Sequence, residues 1–123
     1  MNIIPDLLTF ACANHPARIA VQCGDRHLCF REVDQRADRL RAVLADLGVG
    51  SGDRLALLAS NSAEYLEIHV AAMRAGAILV PLNFRLAPAE LAYILGNCQP
   101  RLLICGSDLA DTAAELDVRH RLT

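Results

Sequence analysis

The sequence predicts an α/β fold: a partial layered sheet, mostly parallel strands, with flanking helices and a small N-terminal hairpin. Three observations predict it. Leu55–Leu58, Ile78–Leu82 and Leu102–Cys105 are apolar at consecutive positions, the pattern of strands covered on both faces. These runs alternate with stretches of helical periodicity, which implies parallel strands joined by crossovers. The stretch Gly52–Leu86 contains a whole strand–helix–strand unit with both helix ends written into it.

Taken in order, Pro5 opens an expected first helix, because a proline at the first helical position loses no needed N–H. Leu7, Leu8, Phe10, Ala11 and Ala13 are its candidate packing residues, and Asn14-His15-Pro16 ends it. Ile19–Cys23 and His27–Phe30 form a hairpin around Gly24-Asp25-Arg26. The next helix is expected from Arg31 to Leu47, with Val33, Ala37, Leu40, Leu44 and Leu47 as its buried stripe and Gly48 as its stop. Asp53-Arg54 closes a turn and starts a strand.

In the central unit, Asn61 and Glu64 have the spacing of a capping box. The helix runs to about Ala75, with Tyr65, His69, Ala72 and Met73 on one side, Leu66 and Val70 beside them, and Gly76 as a left-handed stop. Pro88 begins another helix whose apolar side is Leu91, Tyr93, Ile94 and Leu95, ended by Gly96-Asn97. A last helix spans Leu109–Leu116, and residues 117–123 are expected to fray. With 123 residues the chain makes one domain at most.

Bulk properties exclude several functions. Hydrophobic residues make up 54%, but alanine supplies much of that, and the net charge of −2 is scattered. Neither nucleic acid nor an anionic membrane is expected as a partner. All 12 basic residues are arginine, so no side chain here forms a Schiff base or acts as a lysine phosphate clamp. Cys12, Cys23, Cys29, Cys98 and Cys105 are odd in number and lack C-x-x-C spacing, which argues against zinc and against a disulfide framework. With no leader-like start and no apolar run of membrane-spanning length, the expected location is cytoplasmic.

Few residues read as a site. His69 is expected on a buried helix face and has no second ligand at metal spacing. Gly48-x-Gly50-x-Gly52 precedes a strand instead of following one, so it does not present pyrophosphate to a helix N-terminus. Ser51-Gly52 and Gly106-Ser107 are too sparse to cradle a phosphate. Arg85 is the exception. It follows the carboxyl end of the second core strand, where open α/β sheets place ligands, and a guanidinium holds phosphate or carboxylate bidentately. A solvated loop arginine is the other reading, and the residues alone favour it.

Four segments, in this order and spacing, carry a resemblance that covers nearly the whole chain. They are Phe30-Arg31-Glu32-Val33; Gly48-Val49 with Gly52-Asp53-Arg54-Leu55; Asn61-Ser62 with Ala75-Gly76-Ala77; and Pro81-Leu82-Asn83-Phe84-Arg85-Leu86 with Glu90-Leu91 and Ile94-Leu95. Together they resemble the N-terminal segment of the adenylate-forming (AMP-binding) acyl-CoA synthetase/ligase family. Asn83-Phe84-Arg85-Leu86 is more similar to the acyl-CoA synthetases than to peptide-synthetase adenylation domains.

The resemblance implies a parent reaction in which ATP activates a carboxylic or fatty acid as an acyl-adenylate that CoA then captures. It implies ATP, Mg and CoA for the complete parent enzyme, and Arg85 as a contact to a CoA phosphate. The family's loop ending in Thr-Gly-x-Pro-Lys and its catalytic lysine are absent. Residues 1–123 therefore read as an incomplete N-terminal subdomain, inactive and without bound cofactor on its own, with no catalytic or metal residue assigned. The alternative expectation is a non-catalytic interaction module that pairs with a complementary polypeptide or with itself. One departure concerns Cys29, which stands where the family often has Thr or Ser as helix cap; a thiol caps poorly, at a cost of about 1 kcal/mol.

Overall fold

A computed structural model describes residues 7–116 and the backbone of Arg121–Leu122. The expected helix start at Pro5, His120 and the rest of the tail lie outside the described residues. Helix α1 (Leu7–Asn14) leads into an antiparallel hairpin of β1 (Ile19–Cys23) and β2 (Arg26–Cys29). Helix α2 (Phe30–Asp46) follows. Strand β3 (Arg54–Leu58), α3 (Ala63–Ala75) and β4 (Ile78–Pro81) form the central crossover. Then come α4 (Pro88–Cys98), β5 (Leu102–Cys105), a short 3-10 turn Ser107–Leu109, α5 (Ala110–Ala114) and β6 (Arg121–Leu122).

The main sheet has the order β4-β3-β5-β6, and every neighbouring pair is parallel. Its two faces carry separate cores. On one, Leu55, Leu57, Leu102 and Ile104 meet Leu44 of α2 and Ile68, Ala71 and Ala72 of α3. On the other, Ala56, Leu58, Leu103 and Cys105 meet Leu91 and Leu95 of α4 and Ala113 and Leu116 at α5. Strand residues alternate between faces, so a run apolar at every position is what a sheet buried on both sides requires. A third cluster of Leu28, Val33 and Ala63 seats the hairpin on α2 and the start of α3.

Several expectations are corrected. The cap of α3 is Ser62, not Asn61, so Glu64 falls one position short of a capping box with it. The reciprocal bond is instead made at two other helices. Glu32 accepts from the Cys29 N–H at 3.0 Å, and Glu90 accepts from the Ala87 N–H at 3.0 Å. Helix α3 turns its alanines inward, at Ala63, Ala71 and Ala72, because it packs against both α2 and the sheet. His69 is consequently exposed, and Leu66 with it.

Leu47 lies one residue beyond α2 and is exposed. Helix α4 runs through Gly96 and Asn97 and stops at Gln99, which takes the left-handed conformation. Its inward stripe is Leu91, Ile94, Leu95 and Cys98. Tyr93 lies between those positions and is 78% exposed. The predicted stop at Gly76 is present with φ 73°, and an added Cβ there would sit 3.2 Å from Ser51 Oγ.

Candidate functional site

Among the described residues, the carboxyl ends of β3 and β5 form a place suited to a ligand. Strands β3 and β5 are neighbours, yet the chain leaves them toward opposite faces, β3 into α3 and β5 toward α5. Adjacent parallel strands whose connections diverge leave a crevice beyond their carboxyl ends. A cleft of about 580 Å³ lies there. Leu57, Ile68 and Ile104 supply its apolar lining, and Ser60, Ser62, Glu64, Glu67, Ser107 and Asp108 its polar lining.

Short-range geometry shapes the mouth of this cleft. The Gly106 N–H donates to the Leu58 carbonyl at 2.9 Å, tying the exit of β5 to the exit of β3. Ser60 Oγ donates to Asp108 Oδ2 at 3.2 Å across the same gap. A Cβ at position 106 would sit 2.6 Å from Asp108 Oδ1, so glycine lets the carboxylate fold back over the strand end.

The acidic residues of the lining are largely engaged. Glu64 pairs with Arg26 of the hairpin, and Arg36 of α2 bonds Glu67 at 2.5 Å and 3.3 Å. The Arg26 hydrogen bond is the main reason the Glu64 carboxyl titrates below its ordinary range. The Glu67 hydrogen bond raises the Arg36 guanidinium further.

Among the described residues that line the cleft, none is a cation, and the charge of the carboxylates disfavours a phosphate. Among the described residues of the lining, Ser60 has a carboxylate partner and no imidazole beside it. His69 belongs to another surface: its Nδ1 lies 2.9 Å from the Tyr65 carbonyl and its ring 4.9 Å from the Tyr65 ring. Among the described residues no group of three His, Cys, Asp or Glu side chains converges to hold a metal. No helix among them is long and apolar enough to cross a membrane.

Arg85 is not part of the cleft. It sits in the loop after β4, exposed, with its guanidinium 5.7 Å from the Phe84 ring centroid. Asn83 organises this loop: its Oδ1 accepts from the Arg85 N–H at 3.0 Å and its carbonyl from the Leu86 N–H at 3.1 Å. The cleft itself escapes sequence reasoning, because Ser60 and Asp108 are 48 positions apart and meet only when β5 pairs with β3. Asp53 does close its turn as expected, accepting from the Gly50 N–H at 2.8 Å.

A parallel sheet covered on both faces, with a crevice at diverging strand ends, is the frame on which layered α/β domains place ligands. The particular family follows from comparison. The model of the AMP-binding enzyme family matches residues 8–122, and the chain belongs to that family. It is 35% identical over 113 residues to a medium/long-chain-fatty-acid–CoA/3-oxocholest-4-en-26-oate–CoA ligase of Mycobacterium marinum, covering 92% of this chain and 20% of the relative. It is 41% identical over 101 residues to a feruloyl-CoA synthase of Amycolatopsis, covering 82% of this chain and 21% of the relative. A solved Mycobacterium tuberculosis fatty acyl CoA synthetase superposes with a TM-score of 0.83 at 28% identity, over 94% of this chain and 25% of that one. The chain thus spans about a fifth of the length of these sequence relatives.

Proposed function

We propose that this chain is the N-terminal scaffold segment of an acid–CoA ligase and is inactive alone. The parent reaction has two steps. A carboxylate oxygen attacks the α-phosphate of ATP, giving acyl-adenylate and pyrophosphate; the CoA thiolate then attacks the acyl carbon and AMP leaves. The substrate is a carboxylic or fatty acid, and the setting is cytoplasmic. One observation carries the reading: relatives whose names state acid–CoA ligation match nearly the whole chain at 35–41% identity.

The inactivity rests on what the residues offer. Charge stabilisation of a transferring phosphoryl group needs cations aimed at it, and the cleft at β3 and β5 has none to spare. ATP and Mg are held elsewhere in the complete enzyme. Arg85 fits a CoA phosphate: it is exposed, and Asn83 fixes the backbone from which it projects. The purified chain is expected to show no acid-dependent ATP–pyrophosphate exchange with fatty or aromatic acids. Exchange above the protein-free background would refute the reading.

A second reading, an interaction module that pairs with a complementary polypeptide or with itself, draws support from α1, which leaves Leu7 and Phe10 exposed. Specific co-purification of a polypeptide carrying the remainder of the family fold supports it. A chain that remains alone counts against it.

A further inference from the structure

Among the described residues the main sheet ends on one side at β4, and that edge is unusual in composition. From Ala75 to Phe84 the chain has no charged side chain, and Ile78 is 53% exposed. Edge strands are ordinarily protected by charges, bulges or a covering element, because a free row of N–H and C=O groups templates another strand. An uncharged stretch with the composition Ala-Ile-Leu-Val is also the kind that pairs with copies of itself. Something else must protect this edge.

The hydrogen bonds of β4 show what it is. The Ile78 N–H donates to the Asp53 carbonyl at 2.7 Å and the Leu82 N–H to the Leu57 carbonyl at 2.8 Å. Backbone groups alternate along a strand, so Ile78, Val80 and Leu82 address β3 while Leu79 and Pro81 address the open side. Of these two outward residues, only Leu79 has an N–H. Pro81 offers its ring where an incoming strand needs a donor. We propose that Pro81 is an edge block, closing the β4 side of the sheet to strand addition by a second copy of this chain.

The block costs the fold nothing within its own ladder, because the missing N–H would have pointed away from β3. Pro81→Thr and Pro81→Ala restore an outward donor without disturbing an existing bond, so both variants retain the fold, as checked by circular dichroism. The decisive readouts are molar mass by light scattering across a concentration series and amide hydrogen exchange at Leu79.

The expected result is that either variant gains mass with concentration. The Leu79 amide of the concentrated variant then exchanges about tenfold more slowly than that of the dilute one. Wild-type Leu79 shows no such concentration dependence. Adding Ile78→Lys to Pro81→Thr places a charge on the reopened edge and returns it to the wild-type mass profile. The proposal is overturned if the folded variants associate no more than wild type, if they associate with Leu79 unprotected, or if wild-type Leu79 is already protected on concentration.

Discussion

The central sheet and the N-terminal layer are held by different forces. Leu55, Ala56, Leu57 and Leu58 of β3 are all fully buried, and apolar side chains cover both of their faces. By contrast, α1 has no fully buried residue, and its Leu7 and Phe10 are exposed. Charged groups reinforce the layer around it. Arg26 of the hairpin reaches Glu64 of α3, and Arg36 of α2 reaches Glu67. Arg74 of α3 binds Asp34 at 2.5 Å, Asp38 at 3.0 Å and Thr9 of α1 at 3.2 Å. Burial of apolar area is not screened by moderate ionic strength and does not titrate, whereas ion pairs are screened and do titrate. The same chain should therefore answer to solvent conditions at one end and to packing at the other.

The comparison breaks most sharply in the sheet. Leu57→Ala should lower unfolding free energy by about 2–5 kcal/mol in chemical denaturation, since the site is walled by fixed strands and cannot collapse. Next is Arg74, whose side chain is only 8% exposed. Arg74→Met should cost about 1–3 kcal/mol by leaving Asp34 without its partner. It should also speed hydrogen exchange in α1 more than in β3. Equal acceleration in both would erase the distinction between the two regions.

A smaller effect is expected at the α2 cap. Cys29→Ser adds a capping hydroxyl beside the Glu32 contact already present and should stabilise by about 0.5–1 kcal/mol. The smallest concerns Arg26 and Glu64, both more than two-fifths exposed. Arg26→Ala should cost well under 1 kcal/mol, and less as salt rises. The pH response has a fixed sign. Glu64 titrates below its ordinary value because Arg26 bonds the ionised form. Its stabilisation is complete above the ordinary glutamate range and is lost as pH falls through the depressed folded value. Hydrogen exchange at the hairpin should rise in acid before exchange in β5 does, and Arg26→Ala should remove that difference.

The apolar sheet was largely legible in the sequence, since consecutive apolar residues bounded by turns have few alternatives at that length. Gly76 was legible for the same reason: a left-handed stop leaves a local signature. Where helix faces depended on neighbours, the sequence was less informative. His69 reads as buried if large residues are assumed to face inward. Helix α3 instead buries its alanines against α2 and the sheet, and leaves Leu66 and His69 outside. Asn61 and Ser62 are both good caps, and local pattern cannot choose between them. The cleft was invisible because it depends on strand order: α3 and α5 must leave neighbouring strands toward opposite faces. The family resemblance, read from short motifs along the chain, agrees with the match over residues 8–122.

We propose that this segment frames a nucleotide-using enzyme without itself holding the nucleotide. Calorimetric titration of the purified chain with ATP, in the presence of magnesium, tests it most directly. No saturable binding is expected, because the β3–β5 cleft presents hydroxyls and engaged carboxylates where phosphates need cations. Tight, stoichiometric ATP binding that is lost on Ser60→Leu or Gly106→Val would contradict it.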